Sequence, residues 1–179
     1  MNEPPVRETR RVGTVMLILA WVVGLGLAAL WFSGVEQAQR NPNQNPDSRV
    51  TDEMVEVRLE DNRNGHYVLS GEINDVMVTL LLDTGATMVA VPAELAGDLA
   101  LKRGPAFMVS TANGMAESYR TRIDTLRIGD IQLRDVDAAI VPGMGGNEVL
   151  LGMTALRQLD FTQRGGELVL RQTLTETNR

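Results

Sequence analysis

The chain has 179 residues, 44% of them hydrophobic but only 4% aromatic, enough for one sizeable core built mainly from Val, Leu, Ile, Met and Ala. Seventeen basic against 23 acidic side chains give a net charge of -6, which argues against a phosphate-neutralising nucleic-acid face. With no Cys and only His66, disulfides, thiolate chemistry and multi-His metal sites are excluded and a Ser-His-Asp triad is disfavoured; no metal or cofactor is expected, and any catalysis falls to carboxylates, hydroxyls or main-chain groups.

Charge divides the chain. Residues 1–49 hold five Arg against four acids, whereas 50–179 hold 12 basic and 19 acidic residues. Positions 12–32 are 21 consecutive uncharged residues. As a helix at about 1.5 Å per residue they span about 31 Å, the thickness of a bilayer core. Arg7, Arg10 and Arg11 precede the run and only Arg40 follows it closely. The positive-inside rule then keeps residues 1–11 in the cytoplasm and sends the bulk of the chain across. A cleaved signal peptide competes with this reading, but the apolar run is long for one and Phe32–Ala38 has no small-x-small cleavage site. A core helix of a soluble protein is a third reading, for which the rest of the sequence offers no helical partner. The expectation is an uncleaved signal-anchor over 12–32. Its Gly24 and Ala28 have the small-xxx-small spacing of associating helices, a pattern common by chance. Arg40–Ser48 has Asn, Gln and Pro but no aliphatic residue, so 33–50 reads as a flexible tether, 51–173 as the folded domain and 174–179 as a tail.

Beyond residue 50, short apolar runs alternate with turn signals. Met54–Leu59 alternates apolar and charged residues, as a half-buried strand does. A turn at 61–65 leads into a strand over His66–Ile73, and Asn74-Asp75 makes a tight hairpin into Val76–Leu82. Met88–Val91 is another strand, and Pro92–Leu99 reads as a short helix with Pro at its start. Phe107–Thr111 and Met115–Leu126 flank Ala112-Asn113-Gly114, a strong hairpin signal. Gly129-Asp130 turns into Ile131–Val141. A loop at 142–147 precedes the buried run Val149–Leu151, a helical turn or two over Met153–Leu159, and a last hairpin of Phe161–Thr162 and Leu168–Leu170 across Arg164-Gly165-Gly166. The class is all-β, closed or sandwich-like, with one or two short helices.

The chemistry concentrates at Leu80-Leu81-Leu82-Asp83-Thr84-Gly85-Ala86-Thr87. A strand of Leu delivers a carboxylate to a tight turn, where burial is costly unless main-chain N–H groups hold it. Gly85 lets the backbone fold close to it, and Thr84 and Thr87 add hydroxyls. An ordinary Asp-Thr-Gly turn, with Asp accepting from local N–H groups, has the same sequence. Asp124, Asp135 and Asp137 lie in charge-rich strands and read as solvent-facing. His66 reads as a surface or turn residue, Met108 and Met115 as core packing or substrate contacts near a hairpin tip. The Gly143–Gly146 loop lacks the Lys-Ser/Thr ending of a phosphate loop.

Placed at the end of this apolar strand, Asp83-Thr84-Gly85-Ala86 resembles the catalytic loop of the retropepsin-like aspartic proteases, in particular the membrane-anchored single-domain bacterial kind. Leu150-Leu151-Gly152, succeeded by a helical Met-Thr-Ala-Leu, resembles the apolar-apolar-Gly signature that closes that loop. Val109–Tyr119 stands where the family has its flap. The resemblance covers about residues 54–171. It implies a closed retropepsin-like β-barrel and an aspartic endopeptidase in which Asp83 is catalytic. Thr84, Gly85, Ala86 and Thr87 would support the loop and grip the dimer, Thr111, Ala112, Asn113, Gly114 and Met115 would form the flap over substrate, and Leu150, Leu151 and Gly152 would close the site. Since the chain carries one Asp-Thr-Gly, the resemblance implies a homodimer that pairs two Asp83 residues, acting on polypeptide substrate at the periplasmic face of a bacterial inner membrane. A peptide-binding module without turnover on the same fold is the alternative, and a purely structural anchor a third.

Overall fold

The computed structural model describes residues 6–111 and 114–174. The chain divides into two compact units, Met1–Gln39 and Arg40–Arg179. The first is the helix α1 (Val6–Arg40), whose stretch Gly13–Arg40 is long and apolar enough to cross a membrane. From Val15 to Phe32 its Leu, Val, Trp21, Trp31 and Phe32 side chains are exposed.

The second unit is a β domain. In it β1 (Asp47–Val50), β2 (Met54–Glu60), β11 (Glu167–Thr173) and β10 (Asp160–Arg164) form a four-stranded antiparallel sheet in that order. A seven-stranded sheet runs β3 (Val68–Ile73), β4 (Val76–Leu82), β9 (Glu148–Leu151), β5 (Val89–Pro92), β8 (Ile131–Val141), β7 (Gly114–Ile128) and β6 (Ala106–Thr111). The pairs Glu72↔Arg127 and Ile73↔Leu126 join β3 to β7 and close six of these strands into a barrel. At that seam a Cβ on Gly71 would lie 2.6 Å from both Arg127 O and Leu80 Cδ1, so only glycine lets the strands close. Alternation supplies the core: Leu80, Ile123, Leu126, Ile128, Ile131, Leu133 and Ile140 are buried, each contributing about 1.5–3 kcal/mol.

The β3–β4 turn puts Asn74 at φ 49° and Asp75 at φ 65°, the left-handed pair that a two-residue hairpin requires. Asn74 is fixed there because Nδ2 donates to Leu99 O at 2.9 Å and Oδ1 accepts from Thr125 N at 3.1 Å.

Two expectations are corrected. Residues 93–100 form a string of turns, not a helix: Leu95 N to Pro92 O, Ala96 N to Ala93 O and Ala100 N to Gly97 O are three-residue closures, and Ala100 takes φ 53° to reverse the chain. The tether over 33–50 is helix as far as Arg40, and Arg40–Val50 belongs to the β domain. Asn43 is 5% exposed. Its Nδ2 donates to Glu60 O and Val68 O, both at 2.8 Å, and its Oδ1 accepts from Glu60 N at 2.7 Å. Its carbonyl accepts from Ser70 N at 3.0 Å, while Asn41 Oδ1 accepts from Asn43 N at 3.0 Å. Arg40 Nε and Nη2 both donate to Glu148 Oε1, at 3.0 and 2.8 Å. Two residues of a segment without aliphatic groups, Asn41 and Asn43, are buried here because their amides stand in for strand pairing.

Candidate active site

The parallel pair β4–β9 runs in register to Leu82↔Leu151, and Asp83 N continues it by donating to Leu151 O at 3.2 Å. Asp83 is therefore placed by the strand, half-buried at its C-terminal end. The chain then has to pass over β9 to reach β5, which lies on β9's other side. Residues 83–88 make that crossing without a ladder of their own. Asp83 Oδ1 accepts from Gly85 N at 2.8 Å, and Ala86 N donates to Asp83 O at 3.2 Å, so the carboxylate closes its own turn.

The far side of the loop rests on the segment after β9. Met153 N donates to Ala86 O at 2.9 Å. A Cβ on Gly152 would collide with Met88 O and lie 2.8 Å from Ala86 O, so the two segments touch main chain to main chain and position 152 admits only glycine. The short helix α2 (Met153–Leu156) braces them. Thr154 Oγ1 accepts from Val89 N at 3.0 Å and donates to Asp137 O at 2.7 Å, tying α2 to β5 and β8. The structure thus joins the Asp83–Thr87 loop to the Leu150–Gly152 segment. Neither Thr84 nor Thr87 has a side-chain hydrogen-bond partner among the described residues, and both are exposed.

The long hairpin β6–β7 is paired from Ala106↔Tyr119 to Thr111↔Gly114; its tip, Ala112 and Asn113, lies outside the described residues. Met108 and Met115 are exposed on it, 56% and 65%, so they are not core. The base is stiffened by Arg120 over the Phe107 ring at 4.9 Å and Arg103 over the Tyr119 ring at 4.8 Å. Tyr119 donates to Glu117 Oε1 at 2.8 Å, and that bond to a carboxylate raises the phenol above its ordinary value.

Asp124, Asp135 and Asp137 are exposed, the last two beside Arg122 at 3.7 and 3.2 Å. His66 lies in the exposed turn ahead of β3, its N–H held by Asn62 Oδ1 at 3.1 Å. Among the described residues no cluster of His, Cys, Asp or Glu could hold a metal. Sequence reasoning missed Thr154 and the Asn41–Asn43 clamp. For Thr154 a signal existed in its place two residues after a close-approach glycine; a lone buried Asn in a polar segment gives none.

A family profile described as "gag-polyprotein putative aspartyl protease" matches residues 69–158, from β3 to just beyond α2. A protein of a Sinorhizobium species, described as an uncharacterized protein in the cobV 5′ region, is 33% identical over 122 residues, 65% of this chain and 52% of that one. The chain thus spans about half the length of that curated relative. Among solved structures, a retropepsin-like aspartic protease from Rickettsia conorii superposes with a TM-score of 0.58 at 22% identity, over 71% of this chain and 98% of that one, a likeness of fold. The retroviral protease-like domain of Ddi1 from Leishmania major gives 0.42 at 16% identity, over 63% and 96%.

Proposed function

The chain belongs to the retropepsin-like aspartic protease family, and from that premise we propose that it is a membrane-anchored aspartic endopeptidase whose site is completed by a second copy. The Asp83 carboxylate carries this reading: half-buried at the end of a strand, oriented by Gly85 N–H, on a loop fastened to Gly152 and Met153. Its loop is fastened main chain to main chain, and the carboxylate remains partly open to solvent.

One chain supplies one such loop, so two Asp83 residues meet across a two-fold axis. Paired carboxylates that close share one proton, because both cannot ionise together. The ionised member takes a proton from a bound water, whose oxygen attacks the scissile carbonyl carbon. The protonated member donates its proton to the carbonyl oxygen, giving a neutral tetrahedral diol that collapses with proton transfer to the leaving nitrogen. Nothing in this sequence of steps needs His, Cys or metal. The Thr84 hydroxyl reaches across the axis to the partner loop. Substrate lies as an added strand between this floor and the hairpin tip, Thr111–Met115, with Met108 and Met115 as apolar contacts. Helix α1 anchors the chain in a bacterial inner membrane with Arg7, Arg10 and Arg11 cytoplasmic and the β domain periplasmic.

The test uses the full chain in detergent micelles, wild type and Asp83→Asn, against a mixed peptide library from about pH 4 to about pH 7.5, with products read by mass spectrometry. Cleavage by wild type alone, with a bell-shaped pH profile, is the expected result. Equal cleavage by both proteins refutes the role of Asp83. Binding of peptides without cleavage by either would make the domain a recognition module.

A further inference from the structure

Strand β7 runs out of the barrel into the long hairpin without changing face. Its Tyr119, Thr121 and Ile123 stand opposite Ile140, Ala138 and Val136 of β8, all three buried in the core. Side chains alternate along a strand, so Glu117 and Met115 lie on that same inner face. Strand β6 adds Met108, directly opposite Glu117. The outer face is taken up by the hairpin's own side chains: Ser118 is buried, and Arg120 lies over the Phe107 ring at 4.9 Å. The inner face therefore presents two exposed thioethers around one exposed carboxylate. That carboxylate is oriented, because Tyr119, two residues along on the same face, donates to its Oε1 at 2.8 Å. Its charge is not balanced. Arg103 stacks on the Tyr119 ring at 4.8 Å, and among the described residues Glu117 enters no ion pair.

We infer that Glu117 is a specificity-determining residue that takes a Lys or Arg side chain of the substrate polypeptide. This rests on the reading that the hairpin roofs the Asp83 site, and it names a substrate class for that site. A Lys or Arg side chain matches the patch along its length. Its methylene stem lies on Met108 and Met115, whose flexible thioethers adapt to it, and its cationic head reaches the carboxylate. A hydrogen bond between two charged groups is the strong kind, and the Tyr119 hydroxyl fixes one carboxylate oxygen while leaving the other to accept it. A neutral side chain would cover Glu117 without giving it a partner, and an acidic one would face it as a like charge. An extended substrate turns only every second side chain toward the roof, so the selection falls on one position rather than on the peptide as a whole. Residues 50–179, with 12 basic against 19 acidic side chains, draw cationic peptides in the same direction.

The test scores side chains position by position around the cut when the full chain in detergent micelles is given a mixed peptide library. Lys and Arg are expected at one position about tenfold above Gln. Glu117→Gln, close to isosteric, should bring that ratio to about one, and Glu117→Lys should move the preference to Asp and Glu, a reversal that a merely structural role for Glu117 would not produce. Tyr119→Phe frees the carboxylate and should lower the ratio about threefold. Raising salt to about 0.5 M should lower it as well. The same library is then applied to the full-length Asp83→Asn chain and the retained peptides are read by mass spectrometry. Basic peptides should be retained, and adding Glu117→Gln should release them. A basic preference that survives Glu117→Gln overturns the assignment, and so do equal yields of Lys and Gln peptides among both the products and the retained peptides. Asp83-dependent cleavage without a basic preference removes the subsite and leaves the peptidase standing. Basic-selective retention without cleavage does the reverse, and neither cleavage nor selective retention overturns both.

Discussion

Asn43→Ala tests whether the segment after α1 is part of the β domain. The substitution removes three hydrogen bonds, from Nδ2 to Glu60 O and Val68 O and from Glu60 N to Oδ1. It leaves the main-chain link from Ser70 N to Asn43 O in place. Each net hydrogen bond is worth about 1 kcal/mol, and a buried group left unpaired costs about 1–3 kcal/mol. Because Asn43 is 5% exposed, water enters the gap only partly, so the expected loss is about 3–5 kcal/mol, a large share of a domain's about 5–15 kcal/mol. Asn43→Asp should cost at least as much: it keeps an acceptor for Glu60 N but sets a carboxylate against two carbonyl oxygens. Trp21 and Trp31 both lie in α1, so tryptophan fluorescence does not follow the domain. Melting is better read from the β signal in far-ultraviolet circular dichroism, with hydrogen exchange at the Glu60 and Ser70 amides as the local readout. A drop in Tm of about 10 °C or more is expected. A change within about 2 °C for both variants, with those amides still protected, would refute the clamp and return the segment to a tether.

Other outcomes rest on the same kinds of contact. Gly152→Ala forces the Ala86–Met88 carbonyls away and should lower kcat/KM about 100-fold while the circular dichroism spectrum is kept; unchanged activity would show that the contact does not position Asp83. Thr154→Val leaves Val89 N and Asp137 O without their shared hydroxyl and should cost about 2 kcal/mol in denaturant melts, with Thr154→Ser restoring most of it. Glu56 bonds Arg171 at 2.8 Å and Arg58 at 3.0 Å, and these, Arg171 first, hold its carboxyl below the ordinary range. A depressed value stabilises above the unfolded-state value and is lost as pH falls through the folded one. Glu56→Gln should therefore lower Tm near neutral pH, by about 1 kcal/mol of stability, and have little effect near pH 3; an equal effect at both would break the link to ionisation.

Strands such as β2, β3 and β9 were legible because burial alternates along them, and the loop at Asp83 because an acid at the end of a Leu run is costly without dedicated partners. The turns at 74–75, 129–130 and 165–166 announce themselves through Asn and Gly. What escaped was structure carried by side chains acting as backbone. Asn43 presents both a donor and an acceptor to the β2–β3 connection, the same groups a strand residue would present from its main chain, so a segment whose composition predicts disorder carries two buried residues, Asn41 and Asn43. Pro92–Leu99 has the composition of a helix, but the chain must reverse at Ala100 and surrender Leu99 O to Asn74, which leaves room only for turns. The order of the barrel strands was also hidden, since nothing local says that β9 inserts between β4 and β5.

That insertion explains why the site stands where it does. With β9 parallel to β4 on one side and antiparallel to β5 on the other, the chain leaving β4 cannot pair laterally and must bridge its neighbour's end. A bridging loop exposes main-chain groups that a ladder would have satisfied, and a buried one must find substitutes. Here the substitutes are the Asp83 carboxylate for Gly85 N, Leu151 O for Asp83 N, and Met153 N for Ala86 O. The carboxylate is thus recruited by the topology as a structural acceptor through one oxygen, Oδ1. Among the described residues nothing bonds Oδ2, the oxygen that the proposed mechanism would turn to a water and a partner acid. The rigidity that the proposed chemistry asks of Asp83 and the satisfaction that folding demands of its loop are met by the same three hydrogen bonds. An Asn at position 83 can still accept from Gly85 N, so Asp83→Asn should keep the fold while removing the charge on which the proposed chemistry depends.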